Sequence, residues 1–149
     1  MLRKWSALAL SAGCIAGLGA FPTRAEDEEK SPLAKIMVKI DEQTKAIGAA
    51  CSSTAKFKES GKGKAIPPAA VTLAELGKET RKFTEPAEKM KQPIAKWNAM
   101  TDEYIVVAKA MAKAGKRGNL PEILKAYKAL NNSCSNCHGA FRPKVGDDF

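Results

Sequence analysis

The chain has 149 residues, 44% of them hydrophobic, four cysteines and one histidine, with 25 lysines and arginines against 16 acids for a formal charge of +9. Only 6% of residues are aromatic and the bases are scattered rather than interleaved with aromatics, which argues against a nucleic-acid binder and leaves acidic proteins or anionic lipid as the partners a basic chain would meet. The histidine has no paired carboxylates in an evident cleft beside it, so no substrate-processing enzyme is expected.

The first 25 residues read as a secretory signal. Arg3 and Lys4 precede a run of 17 apolar or small residues, Trp5 to Phe21, and Thr23 and Ala25 stand at the −3 and −1 positions of a cut before Glu26. An uncleaved membrane anchor would need roughly 20 strongly apolar residues. Cys14 within "SAGC" suggests lipidation, but the leucine of a lipobox sits one place too early and Ile15 is apolar. Export to the periplasm is therefore expected. The remaining residues, 26–149, form one domain with a single core and a net charge of +6, from 22 bases and all 16 acids.

After an acidic leader, Ser31-Pro32 predicts a helix start, with serine as N-cap and proline in the first turn. Leu33, Ile36, Met37, Ile40, Thr44, Ile47 and Cys51 then share one face at helical spacing. "SSTAKFKESGKGKA", residues 52–65, is polar and glycine-punctuated and reads as a connecting loop. Pro67-Pro68 opens a second helix striped by Ala69, Leu73, Leu76, Thr80 and Phe83. A turn containing Pro86 follows, and Pro93 opens a third helix with Ile94, Trp97, Tyr104, Ala108 and Met111. "GKRGN" breaks it. A fourth helix runs from Pro121 through Ile123, Leu124, Tyr127, Leu130, Cys134, Cys137 and Phe141 to a stop at Pro143. With no alternating strand pattern, the expected fold is all-α, an antiparallel four-helix bundle.

"SCSNCHGAF", residues 133–141, holds two of the four cysteines and the only histidine. Cys134 and Cys137, three apart on a helix, project from one side, and His138 follows directly. This spacing suits covalent haem attachment: two thiols add to the two vinyl groups, which brings the imidazole to the iron as axial ligand. Three other readings compete. Zinc could take Cys51, Cys134, Cys137 and His138, but adjacent helical residues diverge by about 100° and make awkward ligands for one ion. A thiol–disulfide motif belongs near a helix N-terminus, not its end. A structural disulfide leaves His138 unexplained. Cys51, on the apolar stripe, is expected as a buried inert thiol.

A helical chain ending in "SCSNCHGAFRPK", with the haem motif in its last helix and Trp97 early in its third, resembles the class II c-type cytochromes, cytochrome c′ and its methionine-ligated low-spin relatives. The resemblance covers residues 31–144. It implies a four-helix bundle around one haem c, held by Cys134 and Cys137 through two thioethers, a periplasmic setting, single-electron exchange with redox partner proteins, and in many members a homodimer. The mature charge suggests that those partners are acidic. Arg142 would pair with a haem propionate.

Function then turns on the iron's other face. Methionine there gives an electron carrier, whereas an apolar residue leaves it open to nitric oxide or carbon monoxide. In a bundle with alternating helix directions, Met37, Met90 and Met100 lie near the end that holds His138, and Met111 lies near the other. The resemblance separates them: in methionine-ligated relatives the ligand sits early in the first helix, about three turns before a small-residue patch. Met37, eleven residues before Gly48, matches. The expected metal ligands are therefore His138 and Met37, with the open-faced gas binder and a haem-free zinc or disulfide interaction module as alternatives.

Overall fold

The structure, a computed structural model, describes residues 31–142. The signal sequence, Cys14 and Pro143 lie outside the described residues. Six helices follow one another: α1 (Pro32–Cys51), α2 (Thr54–Glu59), α3 (Ile66–Thr80), α4 (Glu85–Lys89), α5 (Ile94–Arg117) and α6 (Leu120–Phe141). The described residues contain no strand, and no helix among them is long and apolar enough to cross a membrane. The described residues form an all-helical bundle of four long helices and two short ones.

The four long helices begin at or beside the prolines that predict them, and α1 and α6 carry side-chain caps. The Ser31 hydroxyl accepts from the Ala34 N–H at 3.2 Å, and Asn119 does the same for Glu122 N–H at 3.3 Å. Proline sits in the first turn of α1, α3 and α6, where its missing N–H removes no helical bond. Gly118, with φ +64°, closes α5 in the left-handed conformation. The region expected as loop 52–65 instead contains α2, capped by Ser53, whose side chain accepts from Lys56 N–H at 3.1 Å. A second short helix, α4, occupies the Pro86 turn.

The main core is built from Ile47, Ile66, Leu73, Met111, Ile123 and Leu130, each at most 1% exposed. Closely packed glycines set which parts of the helices meet. A Cβ at Gly48 in α1 would stand 2.4 Å from the Tyr127 hydroxyl of α6, one at Gly77 in α3 would meet Tyr104 and Ile105 of α5 below 3 Å, and one at Gly115 in α5 would touch Ile66 and Pro67 at the head of α3. Two predicted stripe residues, Ile94 and Leu124, are 45% exposed. Leu124 lies about 100° from Ile123, the residue that takes the buried position.

A second, smaller cluster sits at one end. Ala87 of α4, Trp97 of α5 and Phe141 of α6 are buried together, with Met100, Cys137 and Ala140 packed against them. The Trp97 and Phe141 rings meet edge to face, with centroids 5.0 Å apart at 87°, a geometry worth about 1 kcal/mol beyond area burial. This cluster fixes the end of α6 that carries "CSNCH".

Candidate functional site

Beside that cluster lies an open cavity of about 600 Å³, within the size range of ligand and cofactor sites. Its walls come from α1, α3, α5 and α6, with Pro86 of α4 at one side, and Cys134, Cys137, His138, Met37 and Arg142 all line it. α6 supplies the first three because its register turns 134, 137 and 138 toward α1 and α5. Leu33, Met37 and Ile40 follow one another along the α1 wall. The expected site residues thus meet on one space.

The methionines separate. Met111 is fully buried in the main core, away from the cavity. Met90 is half-buried at the C-cap of α4 and does not line the cavity. Met100 does line it, from the α5 wall, packed on the Trp97 and Phe141 cluster alongside Cys137. Met37 reaches the cavity from α1 and is absent from that cluster. Two thioethers therefore border the cavity, and only Met100 shares the packing of the cysteine-bearing helix.

The four potential zinc ligands are not gathered. Cys51 is buried in the main core at the C-terminal end of α1, its Sγ donating to the Gly48 carbonyl at 3.8 Å, and it does not line the cavity. Among the described residues no three of the histidine, cysteine and acidic side chains converge as a metal cluster. The thiols of Cys134 and Cys137 are free.

Burial sets the chemistry of these groups. Desolvation pushes the Cys134 thiol up, and it pushes Cys137 up to about 11, with the neighbouring Cys134 adding to the shift. Both stay protonated near neutral pH. Desolvation, and then the Arg142 charge, holds the His138 imidazole below its ordinary value, so a nitrogen lone pair is free to ligate.

Three lining residues carry an unfinished account. Thr44 Oγ1, Trp97 Nε1 and Tyr104 OH are buried and have no hydrogen-bond partner, and all three residues border the cavity. Most buried polar atoms find partners; here the orphans collect around one space. Burial also drives the Tyr104 hydroxyl well above the usual tyrosine range. Sequence reasoning placed Thr44 and Tyr104 on helix stripes but did not mark them as cavity residues. The available signal was a polar atom on each of two apolar faces.

No family model, curated protein or solved structure matches the chain.

Proposed function

We propose that the protein is an exported, mono-haem c-type cytochrome of the class II kind that carries single electrons and is not an enzyme. The contacts between helix ends suit an antiparallel four-helix bundle, with the site at the end where α1 and α5 begin and α6 ends. The observation that carries the reading is that the chain's only histidine and the C-x-x-C before it line a cavity of about 600 Å³ opposite a methionine-bearing wall.

The residues fit the group. Cys134 and Cys137 present two protonated thiols from successive turns, for thioether formation at the two vinyl groups. His138 offers a neutral imidazole. Arg142 stands at the rim, where a guanidinium can hold a carboxylate bidentately. Trp97 and Phe141, edge to face, line the cavity beside the cysteines and would give the group an apolar contact there. Bound there, haem supplies an iron that changes between ferrous and ferric by one electron. Met37 is the second residue proposed to hold the iron because its thioether comes from α1, whereas Met100 packs on the Trp97 and Phe141 cluster that Cys137 also touches. The electron partners are taken to be other redox proteins reaching the cavity mouth, and the setting is taken to be periplasmic.

A second reading has its own support. Leu33 and Ile40, a turn on either side of Met37, also face the cavity, so a small rotation of the methionine leaves an apolar wall and a gas-binding face. The test is the optical spectrum of the haem-loaded protein and of Met37→Ala. The carrier reading predicts a low-spin wild type that binds carbon monoxide slowly, and a Met37→Ala variant that turns high-spin, drops in potential and takes up gas readily. Met100→Ala and Met90→Ala should keep the low-spin spectrum. A wild type that is already high-spin near neutral pH would hand first place to the gas binder.

A further inference from the structure

The excess positive charge is not spread evenly over the described residues. At the end remote from the cavity, three buried contacts tie α2, the following loop and α5 together. Phe57 packs where a Cβ of Gly63 would stand at 2.7 Å, Ile66 lies beside both Gly63 and Gly115, and Pro67 covers Gly115. Each contact is flanked by exposed bases: Lys56 and Lys58 around Phe57, Lys62 and Lys64 around Gly63, Lys113 and Lys116 around Gly115. The two acids nearby are already engaged, Glu59 with Lys56 at 3.0 Å and Glu122 with Arg117 at 2.6 Å. Lys58, Lys62, Lys64, Lys113 and Lys116 make no ion pair among the described residues. Lys62 even holds a left-handed backbone, φ 59°, between two glycines that share it, a position where glycine would cost less.

The cavity end is different. There the signs alternate: Asp41 and Glu42 follow Lys39, Glu79 precedes Arg81, Glu88 precedes Lys89, and Arg81 reaches Asp102 at 3.0 Å. Lys116 lies 19 residues along α5 from Trp97, roughly 28 Å at 1.5 Å per residue. That is more than three Debye lengths at about 0.15 M salt, so the basic pole contributes little to a partner docked at the cavity mouth.

We propose that this pole is a docking surface for an anionic phospholipid bilayer, which holds the protein at the membrane with the cavity end turned outward. The unpaired bases are all lysines, compact point charges on flexible stems. Such charges suit a mobile layer of headgroups better than bidentate recognition, for which arginine is the usual choice. The large apolar side chains that these lysines flank, Phe57 and Ile66, are 6% and 0% exposed, so the lysine cluster itself offers neither an apolar anchor nor an aromatic platform for nucleic-acid bases, and Leu124, 45% exposed near the start of α6, lies beside it. Adsorption of this kind is peripheral and needs no spanning helix. It is independent of what fills the cavity.

Vesicle co-sedimentation of the full chain tests it, using phosphatidylcholine alone and phosphatidylcholine with roughly a third phosphatidylglycerol, at about 50 mM and about 500 mM salt. The protein should partition onto the anionic vesicles at low salt only. The variant Lys58→Gln, Lys62→Gln, Lys64→Gln, Lys116→Gln should lose at least tenfold in partition coefficient. The equal-charge control Lys39→Gln, Lys82→Gln, Lys89→Gln, Lys96→Gln, at the cavity end, should stay within about threefold of wild type. Both variants share the same N-terminal residues, so their difference isolates the pole, and circular dichroism verifies that both remain helical. Equal losses in the two variants, or no preference of the wild type for anionic vesicles, would overturn the proposal. So would a DNA duplex or an acidic polypeptide that occupies the pole when anionic vesicles do not.

Discussion

Replacing Tyr104 by phenylalanine should stabilise the haem-free protein. The ring is 9% exposed and packs on Gly77 so closely that a Cβ there would stand 2.9 Å from Tyr104 Cδ1. Phenylalanine keeps that ring and its contacts. Only the hydroxyl is lost, and the hydroxyl is buried without a partner. In the unfolded chain it is fully hydrated, so folding forfeits its hydrogen bonds to water and returns none. A buried unsatisfied group of this kind costs about 1–3 kcal/mol. Removing it should recover about 1–2 kcal/mol, which for a domain of this size raises Tm by roughly 4–10 °C. Thermal and urea unfolding followed by circular dichroism at 222 nm read the change, and an unaltered m-value would show that both states keep their extent of exposure. A Tyr104→Phe variant destabilised by 1 kcal/mol or more would refute the reasoning, because the hydroxyl would then have a partner in the folded chain.

Two further outcomes follow from the packing and the thiols. Gly77→Ala puts a methyl 2.8 Å from Ile105 Cγ1 and 2.9 Å from Tyr104 Cδ1, both on buried side chains. Overpacking of about 1–3 kcal/mol should exceed the helix-propensity gain of about 1 kcal/mol, so chemical denaturation should show a net loss and not a gain. In the haem-free chain, Cys137, raised from 9.0 to about 11, should be alkylated by iodoacetamide roughly a hundredfold more slowly than a free thiol at pH 8, since the thiolate is the nucleophile. The rate should climb until about pH 11, as followed by peptide mass mapping. A rate that levels off below pH 9 would show that burial does not govern this thiol.

The long helices were readable because their signals are local and redundant. Ser31 before Pro32 caps and starts α1 as its sequence indicates, and the stripes from Ile36 to Cys51 and from Trp97 to Met111 run long enough to establish a period. The short helices were not. α2 has six residues and α4 five, too few to display a period, and the lysines and glycines around α2 look like loop. Phe57, a lone aromatic in that polar stretch, was the available clue; it is buried against Gly63 and closes the far end of the bundle.

At the site, the spacing of Cys134, Cys137 and His138 was legible because helical geometry alone puts them on adjoining faces. Which methionine faces the cavity depends on how α1 and α5 are rotated about their axes. Sequence left Met37, Met90 and Met100 together on geometry, and the structure puts Met37 and Met100 on the cavity wall and Met90 off it. The orphaned atoms of Thr44 on α1 and of Trp97 and Tyr104 on α5 show in the sequence only as polar atoms on apolar stripes, and that they border one space depends on how the helices meet. The excess of bases over acids at one pole is equally invisible in a list, because it gathers residues 56–64 with residues 113–117.

Covalent haem attachment through Cys134 and Cys137 is tested most directly by the intact mass of the protein, matured in a cell that assembles c-type cytochromes, after acid–acetone extraction. The expected product is a polypeptide heavier by one haem that keeps its Soret absorption through extraction. Retention should be weakened by Cys134→Ala or Cys137→Ala and abolished when both are replaced. A chain at its unmodified mass, colourless after extraction and carrying one equivalent of zinc or a Cys134–Cys137 disulfide, would contradict it.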